Sequence, residues 1–336
     1  LNEKELSFKD YITVAGKLLS GSNPLISSIN RGLFYHDEPK LFTYQAQVIA
    51  SNGDDENDED NFAGGTSIIR EDALIAALGE AIERFCLAKF DKSNMVEASF
   101  EKVGTKGLNI FEAISFTTEQ RKKREFKNFN FDQKSEFRWV KGYSISDEKS
   151  IYIPGQLVYV PYRYKKSEKV IREPISTGAA SGTSLGAAIY RGICEIVERD
   201  AFMITYLNRL KRDRVNLNKV TGRIKNLYEN YKRYKLDLHL VDITTDLKFP
   251  SFLGILLDYT GLGPAVSLGL GADLNYEKAA IKASEEAFHS RPWIRREMEM
   301  GNKNRDVCSA EGRGLYWSDP KKIKMIKFLF SGRKSL

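Results

Sequence analysis

Glu80, Glu83 and Arg84 recur one for one as Glu195, Glu198 and Arg199, so that two separate parts of the chain carry the same Glu-x-x-Glu-Arg pattern. An alanine stands seven residues before each leading glutamate, Ala73 and Ala188, and a third pair, Ala279 and Glu286, repeats that half of the pattern. A helix brings positions i, i+4 and i+7 to one face, so Ala73 and Ala77, Ala188 and Gly192, and Ala279 and Ala283 share a face with their glutamate. Side chains no larger than methyl leave room there for another backbone or a ligand. Two carboxylates three residues apart cost an isolated helix roughly 0.2–0.5 kcal/mol, and they attract a cation. Mg²⁺, which takes hard oxygen ligands together with substrate phosphates, suits them. One such motif alone reads as a solvated charged face. Both copies, however, lie in apolar windows, Leu74–Phe90 and Leu185–Tyr206, where an unpartnered charge pair is expensive to bury.

The segments before these helices are rich in small residues: Ala63-Gly64-Gly65-Thr66-Ser67, Ser176-Thr177-Gly178-Ala179-Ala180-Ser181-Gly182-Thr183-Ser184 and Leu268-Gly269-Leu270-Gly271-Ala272-Asp273. Glycine lets backbone approach a ligand, and a helix N-terminus offers free N–H groups to an anion such as phosphate. Each stretch taken singly reads equally as a plain turn. No Gly-x-x-x-x-Gly-Lys-Ser/Thr loop and no strand-linked Gly-x-Gly-x-x-Gly fingerprint is present, which argues against a P-loop or dinucleotide fold.

The elements that must position these residues are mixed. Period-two alternation predicts strands at 40–50, 137–145, 151–162, 236–243, 252–259 and 265–270; helices are predicted at 70–90, 108–126, 185–208, 219–233, 275–291 and 319–330. The third repeat helix should end or kink near Pro292. Strands fall in adjacent pairs between helices, which predicts an α+β fold with mixed or antiparallel sheets rather than a parallel βαβ array. If the three repeat helices build one site, residues 63–296 belong to one folding unit.

With 336 residues, 42% of them hydrophobic, the chain can build a sizeable core. Apolar runs are too short to span a bilayer and no signal-peptide core is visible, which predicts a cytoplasmic protein without membrane contact. The net charge of +7 is interleaved; the densest basic run, Arg121–Arg124, has no aromatic ladder beside it, so nucleic acid is not the expected partner. The acidic run Asp54–Asp60 lacks the glycine and closing glutamate of a calcium loop and reads as a mobile surface loop. Cys86, Cys194 and Cys308 have no metal-ligand spacing and read as reduced core residues. His36, His239 and His289 are too dispersed to suggest a zinc site or a triad.

Ala76-Ala77-Leu78-Gly79-Glu80-Ala81-Ile82-Glu83-Arg84-Phe85 and the segment from Ala180-Ser181-Gly182-Thr183-Ser184 through Gly192-Ile193-Cys194-Glu195-Ile196-Val197-Glu198-Arg199-Asp200-Ala201 resemble the two ATP-site motifs of the YcaO superfamily. Ile153–Tyr159 resembles its proline-containing strand region, and Glu286–Arg291 its third helix, with His289 where Gln is more usual. The resemblance runs from about residue 40 to the end. It implies a YcaO-like domain over 40–336, after an N-terminal segment 1–39, in which three pseudo-repeated helices converge on a non-Walker ATP site. It further implies Glu80, Glu83, Glu195 and Glu198 as metal ligands, and Arg84, Ser181, Thr183, Arg199 and Arg291 as ATP-binding residues.

The activity implied by the resemblance is cyclodehydration of a ribosomally made precursor peptide. A Cys, Ser or Thr side chain attacks the preceding amide, ATP with Mg²⁺ activates the amide oxygen, and a thiazoline or oxazoline forms. The nucleophile belongs to the substrate, so the lack of a Ser-His-Asp or Cys-His set is no objection. An E1-like, leader-binding partner protein and a homodimer are further expectations of the resemblance, since the first 40 or so residues are too short for a leader-recognition module.

The chain departs from the family pattern at Ala76 and Ala180, where Ser is common, at Ala187, where Glu is common, and at Arg191, where Gln is. It also stops at Ser335-Leu336 without the proline-rich tail of azoline-forming members, which reads as missing C-terminal sequence. Two alternatives stay open: thioamide formation by the same amide activation, and a catalytically silent accessory subunit.

Overall fold

Every residue from Ser251 to Asp258 is buried, the mark of a central strand covered on both faces. It belongs to a computed structural model that describes residues 8–20, 24–49, 62–90, 92–113, 116–129, 131–304 and 306–335. The acidic run Asp54–Asp60 lies outside the described residues. In chain order the elements are α1 (Phe8–Ser20), β1 (Ile26–Arg31), β2 (Phe42–Val48), β3 (Phe62–Ser67), α2 (Arg70–Ala88), β4 (Val96–Ser99), α3 (Phe100–Val103), α4 (Ile110–Ala113), α5 (Thr118–Lys122), β5 (Glu136–Ser144) and β6 (Lys149–Pro154). There follow α6 (Leu185–Leu207), β7 (Arg214–Val215), α7 (Gly222–Arg233), β8 (Leu236–Asp242), β9 (Ser251–Asp258), β10 (Val266–Ala272), α8 (Tyr276–His289), α9 (Arg291–Glu299), α10 (Ala310–Tyr316), α11 (Ile323–Ile326) and β11 (Lys334–Ser335).

The chain divides into two compact units, one of residues 1–48, 62–82 and 180–336 and the other of residues 49–61 and 83–179. The span 63–296, expected as one folding unit, is therefore shared between them. α1 and β1 belong to the first unit, and β1 pairs antiparallel with β2.

In the first unit, β1, β2 and β3 form a three-stranded antiparallel sheet. A five-stranded sheet has the order β10-β9-β8-β7-β11, antiparallel except for the β7–β11 pair. One hydrophobic cluster joins Leu238, Leu240 and Leu256 to Leu227 and Tyr231 of α7 and to Ala279, Ala283 and Ala287 of α8. A second joins Val241, Leu253, Ile255 and Leu257 to Ala201 of α6 and to Ile323 and Ile326 of α11. The second unit is a β4-β5-β6 antiparallel sheet over Ile110, Phe131, Phe137, Trp139 and Ile171.

Strands predicted at 236–243, 252–259 and 265–270 appear as β8, β9 and β10. The strand predicted at 151–162 stops at Pro154, where Gly155–Leu157 turns as a 3-10 helix. The helix predicted over 108–126 is broken into α4, α5 and a 3-10 segment, Arg124–Phe129. Within it, Thr117 closes a capping box with Gln120 and so starts a new helix in mid-span. The stretch 319–330 is one short α-helix between two 3-10 turns. The break near Pro292 is present: α8 ends at His289, and α9 begins at Arg291 with the proline in its first turn. Cys194 is buried, but Cys86 and Cys308 are exposed rather than core residues.

Candidate functional site

The first and third glycine-rich stretches are strands, β3 and β10, and not phosphate loops at helix N-termini. Their glycines answer the small residues of the repeat helices. A Cβ on Gly65 would collide with the Ala73 carbonyl and the Ala77 amide, and one on Gly269 or Gly271 with the α8 backbone at Ala279, Ala283 and Ala287. The space beside the alanines of α2 and α8 is thus filled by backbone of the same chain. Only the second stretch is a loop leading into a helix. There the Ser184 side chain caps α6, accepting from the Ala187 N–H at 3.1 Å.

The charges carried by α6 and α8 do meet. Lys282 donates to Glu198 Oε2 at 2.8 Å, and Arg199 lies 3.5 Å from Glu195 and 3.9 Å from the other oxygen of Glu198. Glu198 is only 1% exposed, so its charge needs these partners. Burial and the nearby Glu198 charge push the Glu286 carboxyl up to about 7, against the pull of Lys282 and Arg199. Burial alone would lower the Lys282 ammonium, but Glu198 and Glu286 outweigh it and hold the pKa above its ordinary value. Three carboxylates from two helices therefore face two protein cations. Sequence reading passed over Lys282 and did not assign Glu286 a ligand role; the visible signal was their one-turn spacing on α8.

Glu80 sits a short way along the same framework. Its Oε2 accepts the Gly64 N–H of β3 at 2.8 Å. Gly64 packs against the imidazole of His289, whose Nδ1 is 2.9 Å from the Thr66 hydroxyl, and His289 is three residues beyond Glu286 on α8. On the other side, the Ser181 hydroxyl lies against Gly79. Arg191 donates to the Ser181 carbonyl at 3.3 Å, so it braces this loop. Thr183 is exposed in the same loop. Glu83 and Arg84 follow Glu80 on α2, in the part of that helix assigned to the second unit.

Arg291 lies in a separate, buried ion-pair network. It is 2% exposed and is bound to both oxygens of Glu38 at 2.7 and 2.9 Å and to Asp258 at 2.7 Å, with the Pro264 carbonyl at 3.3 Å. Arg295 joins this network through Asp37, Glu38 and Glu299. This guanidinium is thus enclosed by acceptors of the chain itself.

Hard carboxylate oxygens with a surplus of negative charge are the donor chemistry of Mg²⁺. In the structure each of Glu80, Glu195 and Glu198 is engaged by a protein donor or cation. Among the described residues no three His, Cys, Asp or Glu side chains converge closely enough to hold a metal ion. No helix among the described residues is long and apolar enough to cross a membrane.

Residues 64–335 match the family model described as YcaO cyclodehydratase, ATP- and Mg²⁺-binding. The chain belongs to this family. The YcaO fold is also shared with solved structures: a heterocyclase in complex with substrate and cofactor is 22% identical with a TM-score of 0.81, over 99% of this chain and 46% of that one. YcaO from Methanopyrus kandleri, bound with AMPPCP and Mg²⁺, is 15% identical with a TM-score of 0.65, over 98% of this chain and 76% of that one. The E. coli microcin synthetase McbBCD complex with pro-MccB17 bound gives 15% and 0.68, over 95% of this chain and 78% of the matched one. Matches to curated relatives span 42% and 38% of their lengths, so this YcaO chain spans less than half of them.

Proposed function

We propose that this YcaO chain activates a backbone amide of a ribosomally made peptide at the expense of ATP and closes a thiazoline or oxazoline ring. The observation that carries the reading is the meeting of Glu195, Glu198 and Glu286 with Lys282 and Arg199, on helices whose motifs match the family's ATP-site pattern. ATP and Mg²⁺ supply the phosphoryl group that makes the amide oxygen a leaving group and the charge that steadies its transfer. Glu80, Glu195, Glu198 and Glu286, with Glu83 by motif position, are the carboxylates to hold Mg²⁺, which takes one or two side-chain carboxylates and completes its shell with phosphate and water, so that no three of them need converge. Lys282 and Arg199, with Arg84 by motif position, are the cations to meet phosphate oxygens, and Ser181 and Thr183, in the loop that leads into α6 and lies against Gly79, are further ATP-binding residues of this reading. Arg291 is left out, since its charge is spent on Glu38 and Asp258.

The protein's work in this reading is positioning and electrostatic stabilisation, because the substrate brings its own nucleophile. The thiol or hydroxyl of the peptide adds to the carbonyl carbon, the oxygen departs as phosphate, and the amide nitrogen loses its proton as the C=N bond forms. Burial of Glu198 and elevation of Glu286 toward neutrality leave a carboxyl able to exchange its proton for a cation near pH 7. A precursor peptide as substrate, and a partner protein that presents it, are in keeping with the substrate-bound heterocyclase and the microcin synthetase complex.

A silent accessory subunit is the second reading, favoured by the protein cations already seated on Glu195 and Glu198. Mass analysis of a Cys-containing precursor peptide incubated with the chain, its partner protein, ATP and Mg²⁺ separates the readings. Loss of one water per ring with release of ADP and phosphate supports cyclodehydration. Exchange of oxygen for sulfur when sulfide is supplied points to thioamide formation, and an unaltered peptide points to the accessory role.

A further inference from the structure

We infer that Arg223 is a positioning residue of the carboxylate site, tying the start of α2 to α8 and so setting the two helices that carry Glu80 and Glu286. The inference rests on the metal-nucleotide reading of that site. Arg223 lies in the first turn of α7, on neither helix. Its Nη1 donates to Asp72 of α2 at 2.8 Å; its Nη2 donates to Glu285 of α8 at 2.8 Å and to the Ser67 hydroxyl at 2.7 Å, and its Nε reaches the same Glu285 oxygen at 3.2 Å.

Glu285, 7% exposed, precedes Glu286 and points into this knot instead of toward Lys282. The same oxygen accepts the Ser67 hydroxyl at 3.2 Å and the Ile68 N–H at 3.0 Å, while Ser67 Oγ accepts the Ile69 N–H at 2.9 Å. The joint between β3 and α2 is therefore bound to α8 by a planar guanidinium that satisfies both sides at once. A lysine carries one point charge and cannot reproduce that fork. Farther along β3, the contacts Gly64–Glu80 and Thr66–His289 continue the same tie toward the site. Two helices far apart in sequence thus share one register, and the knot that fixes it touches none of the proposed ligands.

The test is the Mg²⁺ concentration that gives half-maximal AMPPCP binding, measured by calorimetry on the full chain beside Arg223→Met, Arg223→Lys and Asp72→Asn. Circular dichroism melts fix a temperature at which every variant is folded. The account expects Arg223→Met to raise the Mg²⁺ half-saturation about tenfold, the size of effect that a small misplacement of ligating groups produces. Arg223→Lys should recover part of that shift. Asp72→Asn, at a half-exposed carboxylate, should shift it in the same direction by less. Amide hydrogen exchange over residues 68–76 should speed up in all three variants without nucleotide. Wild-type binding with a half-saturation that none of the substitutions moves overturns the inference alone. A wild type that binds no Mg²⁺–AMPPCP overturns the functional reading and this inference with it, whatever the exchange rates show.

Discussion

Lys282 of α8 and Glu198 of α6 are joined by a 2.8 Å hydrogen-bonded ion pair in which the carboxylate is almost wholly buried and the ammonium is half exposed. That pair joins two helices whose motifs lie about 90 residues apart, with a protein cation on a carboxylate proposed above as a metal ligand.

Lys282→Met leaves Glu198 buried with only the longer Arg199 contact. The fold should lose roughly 1–3 kcal/mol of stability, the cost of a buried acceptor deprived of its charged donor. Added Mg²⁺ should then raise the melting temperature of Lys282→Met more than that of the wild type. Thermal melts with and without Mg²⁺ check both statements, and equal metal-induced shifts would count against a shared cation position.

The Glu286 carboxyl, raised to about 7 by burial and by Glu198, gives a pH signature. The folded chain holds this proton more tightly than the unfolded one, so the metal-free protein should lose stability as pH rises from the ordinary carboxyl range near 4.5 through about 7. Divalent cation binding should have the opposite dependence, strengthening from pH 6 to pH 8 as the proton leaves. Titrations with Mg²⁺ at several pH values should show this rise in the wild type and a flatter profile in Glu286→Gln.

Arg291→Gln should behave as a stability variant. It takes the cation from Asp258 and leaves Glu38 with Arg295 alone, and removing one partner of a buried pair costs about 3–5 kcal/mol. Urea unfolding should show the loss. If Arg291→Gln instead kept its stability and lost only nucleotide binding, the enclosed network would have been misread as structural.

Gly269→Ala places a methyl group in the α8 backbone at Ala283 and Ala287, and overpacking of this kind costs about 1–3 kcal/mol or more. Gly301→Ala, at a positive φ of 68° with open space around it, should cost about 1 kcal/mol from backbone strain alone. Melting curves of the two variants rank the effects.

The long elements were legible because their patterns are strong. The helices predicted at 70–90 and 185–208 are Arg70–Ala88 and Leu185–Leu207, and the small-residue faces of α2 and α8 do take a neighbouring backbone. What filled them was not legible: Gly65, Gly269 and Gly271 could lie beside a ligand or a helix, and only the tertiary pairing chooses. The same limit hid the roles of Arg291 and Lys282. Arg291 followed a motif, but its partners Glu38 and Asp258 are 253 and 33 residues away. Lys282 stands one turn before Glu286, yet its bond is to Glu198 on another helix. Charge spacing along one helix shows which groups share a face and says nothing of the cation that a second helix brings.

The measurement that bears most directly on the central claim is calorimetric titration of the full chain with ATP, with and without Mg²⁺, beside Glu195→Gln and Glu198→Gln. The account predicts binding by the wild type only when the metal is present, and loss of about tenfold or more in affinity for each variant while both remain folded. Binding that needs no metal, or that survives both substitutions unaltered, would contradict the assignment of these carboxylates to a metal-nucleotide site.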